Sequence, residues 1–120
     1  MTDRPDDVLV VLVTAPDLET ARILVRSVVD ERLAACGNIL PGMTSIYRWE
    51  GEVMEDPEVL VILKTAARVL PDLVSKLEEA HPYDVPEVIG LPVVGGLGRY
   101  LAWVSDESRP DSGDPAVSPS

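Results

Sequence analysis

Two stretches, "VLVVLV" at residues 8–13 and "VLVIL" at residues 59–63, are unbroken runs of valine, leucine and isoleucine. Side chains of a strand alternate between the two faces of its sheet, so an uninterrupted apolar run describes a strand buried above and below. The chain offers two amphipathic helices to cover such a sheet. In the first, Leu18, Ala21, Leu24, Val25, Val28 and Val29 follow helical spacing to about residue 32, with Asp17 as N-cap and Glu19 in the first turn. In the second, Leu70, Leu73, Val74, Leu77 and Ala80 form the stripe, Pro71 stands where helices begin, and Pro82 ends it just after His81. Two helices cover one face. The other face needs a different cover, and a further copy of the same chain is the simplest one.

The remaining segments complete the order. "AACGNIL" is extended, Pro41-Gly42 marks a bulge or bend, "MTSIYRWE" continues the strand, and "EGE" at 50–52 turns it back into residues 53–65. The result is a long hairpin arm. "PEVIGLPVV" predicts another strand, with Pro92 placing it at an edge or a bend. "GGLG" at 95–98 lacks the spacing of a phosphate loop and reads as a turn before a short closing helix in "RYLAWVSD". The order β-α-β-β-α-β is that of an α+β, ferredoxin-like split βαβ sandwich. Residues 1–7 read as a polar N-terminal extension, 8–106 as one domain, and 107–120 as a disordered acidic tail rich in proline and serine.

Composition narrows the partners. The net charge of −11 repels phosphate backbones and anionic lipid, so neither nucleic acid nor a membrane is expected as partner. Phenylalanine is absent, and two tryptophans and three tyrosines are the only aromatics, so the core is expected to be built from Val, Leu, Ile and Ala. A single cysteine, Cys36, allows no intrachain disulfide and no cysteine-pair zinc site. With an N-terminus unlike a signal peptide, it points to a reducing, cytoplasmic setting.

The polar chemistry concentrates in "HPYDVPE", residues 81–87. His81 has two readings. It is a neutral imidazole ligand for a transition metal, with Glu87 or Asp84 as the oxygen ligand, or a helix C-terminal histidine held by uncapped carbonyls. Tyr83, Asp84 and Glu87 lie between prolines that stiffen the loop, either as a ligand-binding wall or as a sharp connector. Near the arm's turn, Tyr47 and Trp49 read as subunit-interface anchors, and with Glu50 they could instead line a pocket. Lys64 ends an apolar strand and either pairs with an anionic group or reaches solvent. "MEDPE" at 54–58 lacks calcium-loop spacing and reads as a solvated acidic turn. No nucleophile has a base near it in sequence, so no catalytic residue is assigned. A small hydrolase with His81 as general base stays as an alternative.

"AACGNILPGMTSIYRWEGEV", "EVLVILKT", "HPYDVPEVIGLPV" and the closing "YLAWV" resemble, in order, the CutA divalent-cation tolerance family over roughly residues 8 to 105. The resemblance implies a ferredoxin-like fold, a homotrimer, a topology shared with the PII signalling proteins, and a role in tolerance of copper and other divalent ions. It implies metal contact at His81 and Glu87, with copper(II) the expected, weakly bound metal in a cleft between subunits. A PII-like small-molecule signalling trimer is the neighbouring alternative. Two positions depart from the pattern: Val13 stands where some members carry cysteine, and Ala80 where some carry a second histidine.

Overall fold

The computed structural model describes residues 4–110. The elements are β1 (Val8–Ala15), α1 (Leu18–Asp30), β2 (Cys36–Trp49), β3 (Glu52–Ala66), a short 3-10 turn (Ala67–Val69), α2 (Leu70–Ala80), β4 (Val88–Pro92) and α3 (Gly98–Glu107). The four strands form one antiparallel sheet in the order β2-β3-β1-β4. The apolar strands β1 and β3 are therefore central. Pro92 lies in an edge strand, where a missing N–H does least harm. Pro57 lies in β3 beyond the last β1 partner, Val59, in the two-stranded part of the arm.

Local chemistry sets the helices. The Asp17 carboxylate accepts the Thr20 amide at 2.8 Å, which fixes the start of α1. The chain leaves α1 through Arg32, in the left-handed region at φ 60°. Ala21, Leu24, Val25 and Val28 face inward. In α2 the apolar stripe is narrower than its sequence spacing predicts. Leu73 and Leu77 are buried, whereas Val74 and Ala80 are exposed. Both helices pack on one sheet face against Val11, Val13, Ala15, Val59, Val61 and Leu63. The fully buried apolar residues are Val, Leu and Ala. Isoleucine, expected inside, stays at least partly accessible among the described residues.

The alternate residues of the same strands point the other way. Leu12 pairs with Ile62 and Ile89, and Leu60 with Leu40, so these residues and Leu91 share one face of the sheet. Within one chain this face is open, and Leu40 and Ile89 are each 46% exposed. The third helix covers only its lower end, where Val104 and Leu101 meet Val8 and Ala35.

The body extends past the boundaries expected at residues 8 and 106. The Arg68 guanidinium donates to the Ser105 and Ser108 carbonyls at 2.6 and 2.9 Å, and to the Pro5 carbonyl at 3.3 Å. It also pairs with the Asp6 carboxylate. Ser108, placed by sequence in a disordered tail, is fully buried, and its hydroxyl donates to the Val104 carbonyl. The rest of the expected tail, 111–120, lies outside the described residues, as do residues 1–3.

Candidate functional site

Proline decides how the α2–β4 connector begins. Pro82 disfavours helical backbone at His81, which adopts φ −77° and ψ 140° while its amide still caps Leu77 at 2.9 Å. The imidazole turns inward and is only 7% exposed. Its Nε2 lies 2.7 Å from the Thr14 carbonyl and must donate; its Nδ1 accepts the Tyr83 amide at 3.1 Å and must be bare. His81 is thus a neutral imidazole with both nitrogens engaged inside the chain. It pins the end of α2 to the end of β1.

Tyr83 packs against that imidazole at a 43° tilt, with ring centroids 4.6 Å apart, and its hydroxyl donates to the Glu58 carboxylate at 2.6 Å. On the arm, the Tyr47 hydroxyl donates to Asp56, also at 2.6 Å. Both phenols are held above the ordinary tyrosine range. Burial is the chief cause for Tyr83, followed by the bond to Glu58 and the charge beside it. For Tyr47 the bond to Asp56 comes first.

A bulge aims the arm. Between the pairs Leu40↔Leu60 and Met43↔Glu58, β2 takes three steps against two in β3, and Gly42 sits at φ 88°. The extra residue reverses the facing of everything after it on β2. Ser45, Tyr47 and Trp49 consequently share a face with Asp56 and Glu58, the face that continues into the open side of the sheet. At the tip, Glu50 and Gly51 have φ of 50° and 84°, the backbone of a two-residue type I′ turn.

Arm and connector flank an open-sided pocket of about 490 Å³. Tyr47, Trp49, Tyr83, Glu58, Asp84 and Glu87 supply its aromatic and acidic lining. Three of the expected ligand residues, Tyr83, Asp84 and Glu87, thus come together. Tyr47 and Trp49, expected at an interface, join them. Three other expectations part from the site. His81 stands behind Tyr83 rather than in the lining. Glu50 is spent on the turn. Lys64 donates to Asn38, six residues along β3 from Glu58.

Glu58 is the residue that sequence reasoning missed, because "MEDPE" read as a solvated turn. It is strand β3, and counting back by twos from Lys64 through Ile62 and Leu60 places Glu58 on the open face.

The donor set does not suit a copper ion held by imidazole. His81 has no lone pair to give, and among the described residues no three His, Cys, Asp or Glu side chains are grouped to hold a metal. The same two hydrogen bonds leave His81 unable to serve as a general base. Val13 is buried in the helix-side core.

The comparisons agree with one another. A family model described as the CutA1 divalent ion tolerance protein matches residues 9–107. The divalent-cation tolerance protein CutA of Thermus thermophilus is 48% identical over 99 residues, covering 82% of this chain and 96% of the relative. The chloroplastic protein CutA of Arabidopsis thaliana is 48% identical over 84% of this chain, which spans 56% of that relative's length. A solved structure of the Thermus thermophilus divalent cation tolerance protein is similar with a TM-score of 0.83 and 47% identity, over 85% of this chain and 99% of that one. With a family model over most of its length and a near-full-length relative at this identity, the chain belongs to the CutA1 divalent ion tolerance family.

Proposed function

We propose that this protein serves divalent-cation tolerance as a homotrimer of ferredoxin-like subunits, and that the pocket between arm and connector binds its small ligand beside a subunit boundary. The strand order β2-β3-β1-β4, with two helices on one face, supports the ferredoxin-like reading. The apolar face left open by a single chain supports the assembly, since a patch running across four strands asks for a partner. The observation that carries the site is the convergence of Tyr83, Asp84 and Glu87 from the connector with Tyr47, Trp49 and Glu58 from the arm. These are two segments far apart in sequence, braced by the Tyr83–Glu58 bond. A pocket of this volume is in the range of small-molecule sites. No observation favours the PII-like alternative over this one.

Native mass spectrometry of untagged protein, purified without added metal, tests both parts. The expected result is a species of about three times the 13.0 kDa chain, carrying extra mass that Glu87→Gln reduces. A monomer would remove the assembly. Extra mass unaffected by Glu87→Gln and by Tyr83→Phe would place the ligand elsewhere.

A further inference from the structure

We infer that His81 is an acid-operated latch on the α2–β4 connector: neutral, it holds the connector to β1 and to the arm, and protonated, it lets the connector go. The latch sets where the connector sits, whatever ligand the pocket takes.

The device follows from the atoms that the neutral ring uses. Nε2 carries the one ring proton and donates it to the Thr14 carbonyl at 2.7 Å, and bare Nδ1 accepts the Tyr83 amide at 3.1 Å. A second proton has only Nδ1 to go to. There it meets the Tyr83 N–H, donor against donor, and the hydrogen bond between them breaks. The surroundings offer the new charge little in return. The ring is 7% exposed and so is held away from water. The charged groups on the elements around it are Glu78 in α2, Asp17 ahead of α1, Glu58 on β3, and Asp84 and Glu87 in the connector. Among the described residues none of them forms an ion pair with the imidazole. Asp17 is committed to the Thr20 amide and Glu58 to the Tyr83 hydroxyl.

Release reaches the arm. Tyr83 packs on the imidazole, and its hydroxyl makes the bond that ties the connector to Glu58. Once the Tyr83 amide turns away from Nδ1, the ring loses its seat and the tie to the arm goes with it. All three bonds lie within one chain, and the imidazole is already buried there. The latch is therefore the same with the open sheet face bare or covered by another subunit.

His81 is the single histidine, so the imidazole of untagged protein is unambiguous in NMR spectra. The test follows its titration from pH 8 to 5 together with the exchange protection of the Tyr83 amide, in the wild type and in His81→Asn. The asparagine carbonyl oxygen replaces Nδ1 as acceptor and takes up no proton in this range. Wild-type protection at Tyr83 is expected to fall in step with the imidazole, by about tenfold per pH unit below about pH 6, the slope of a one-proton event. In His81→Asn it is expected to stay flat. An imidazole that stays neutral to pH 5, or protection that stays flat while it titrates, would overturn the inference. So would an equal fall in both proteins, which would assign the acid response to the carboxylates. Should His81→Asn fail to fold, the wild type alone decides: a fall out of step with the imidazole overturns the latch.

Discussion

His81→Ala removes a donor to the Thr14 carbonyl and an acceptor from the Tyr83 amide in one step, at a position 7% exposed. Two buried polar groups lose their partner and a ring-sized gap opens. The expected loss is about 3 kcal/mol, read from denaturant unfolding at fixed protein concentration. Copper(II) affinity, by calorimetry, should be equal in both proteins, because the imidazole has no free nitrogen to offer. Tyr83 brings a pH dependence. Its folded-state value is raised by burial and by Glu58, while an unfolded tyrosine titrates near 10. Below pH 10 the phenol is neutral in both states. As pH rises above 10 the unfolded chain ionises first, so stability falls toward the folded value. Thermal midpoints measured from pH 8 to 11 should hold and then drop, and the drop should be shallower in Tyr83→Phe. At this scale the sequence marked Tyr83, Asp84 and Glu87 as polar groups in a stiff loop. It left His81 between a metal ligand and a helix-end brace, because a histidine beside carboxylates has the same composition whether its nitrogens face a ligand or a carbonyl.

The arm is the element that makes the pocket, and its turn carries a correctable strain. A type I′ turn wants Asn-Gly, and here Glu50 holds the left-handed first position. Glu50→Asn should raise stability by about 0.5 kcal/mol and the thermal midpoint by a few degrees, without moving pocket affinity. A lowered midpoint would show that the Glu50 carboxylate has a partner outside this chain. Pro41-Gly42 was legible in the sequence as an interruption. Its consequence was not: only the register shows that two residues on β2, Pro41 and Gly42, stand against one on β3, Val59, which turns Tyr47 and Trp49 toward Glu58.

For the whole molecule the open sheet face is the decisive surface. Light scattering should give about three times the 13.0 kDa chain mass. Leu60→Glu, in the middle of that face, should shift the protein toward monomer while leaving the helix-side core, which Leu60 does not join, in place. A Leu60→Glu protein that keeps the wild-type mass would put the subunit contact elsewhere. The clasp at Arg68 makes a second prediction. A chain ending at Pro110 should melt with the full-length protein, whereas one ending at Glu107 should lose about 1–2 kcal/mol, because the buried Ser108 and its carbonyl bond to Arg68 go with it.

By itself the sequence determined the element order, the capped start of α1 at Asp17, the central place of the two apolar strands and the bareness of one sheet face. Each follows from local periodicity or local hydrogen bonding, which neighbouring residues settle among themselves. The tertiary structure decided what the polar residues do. Glu58 and Tyr83 are 25 residues apart and meet only because the sheet order sets β3 beside β1 and the connector folds over both. Thr14 and His81, 67 residues apart, share a hydrogen bond that consumes the one histidine. Contacts of such separation are products of packing and register. No spacing along the chain encodes them, and they turn an expected metal ligand into a brace and an expected solvated turn into the wall of a pocket.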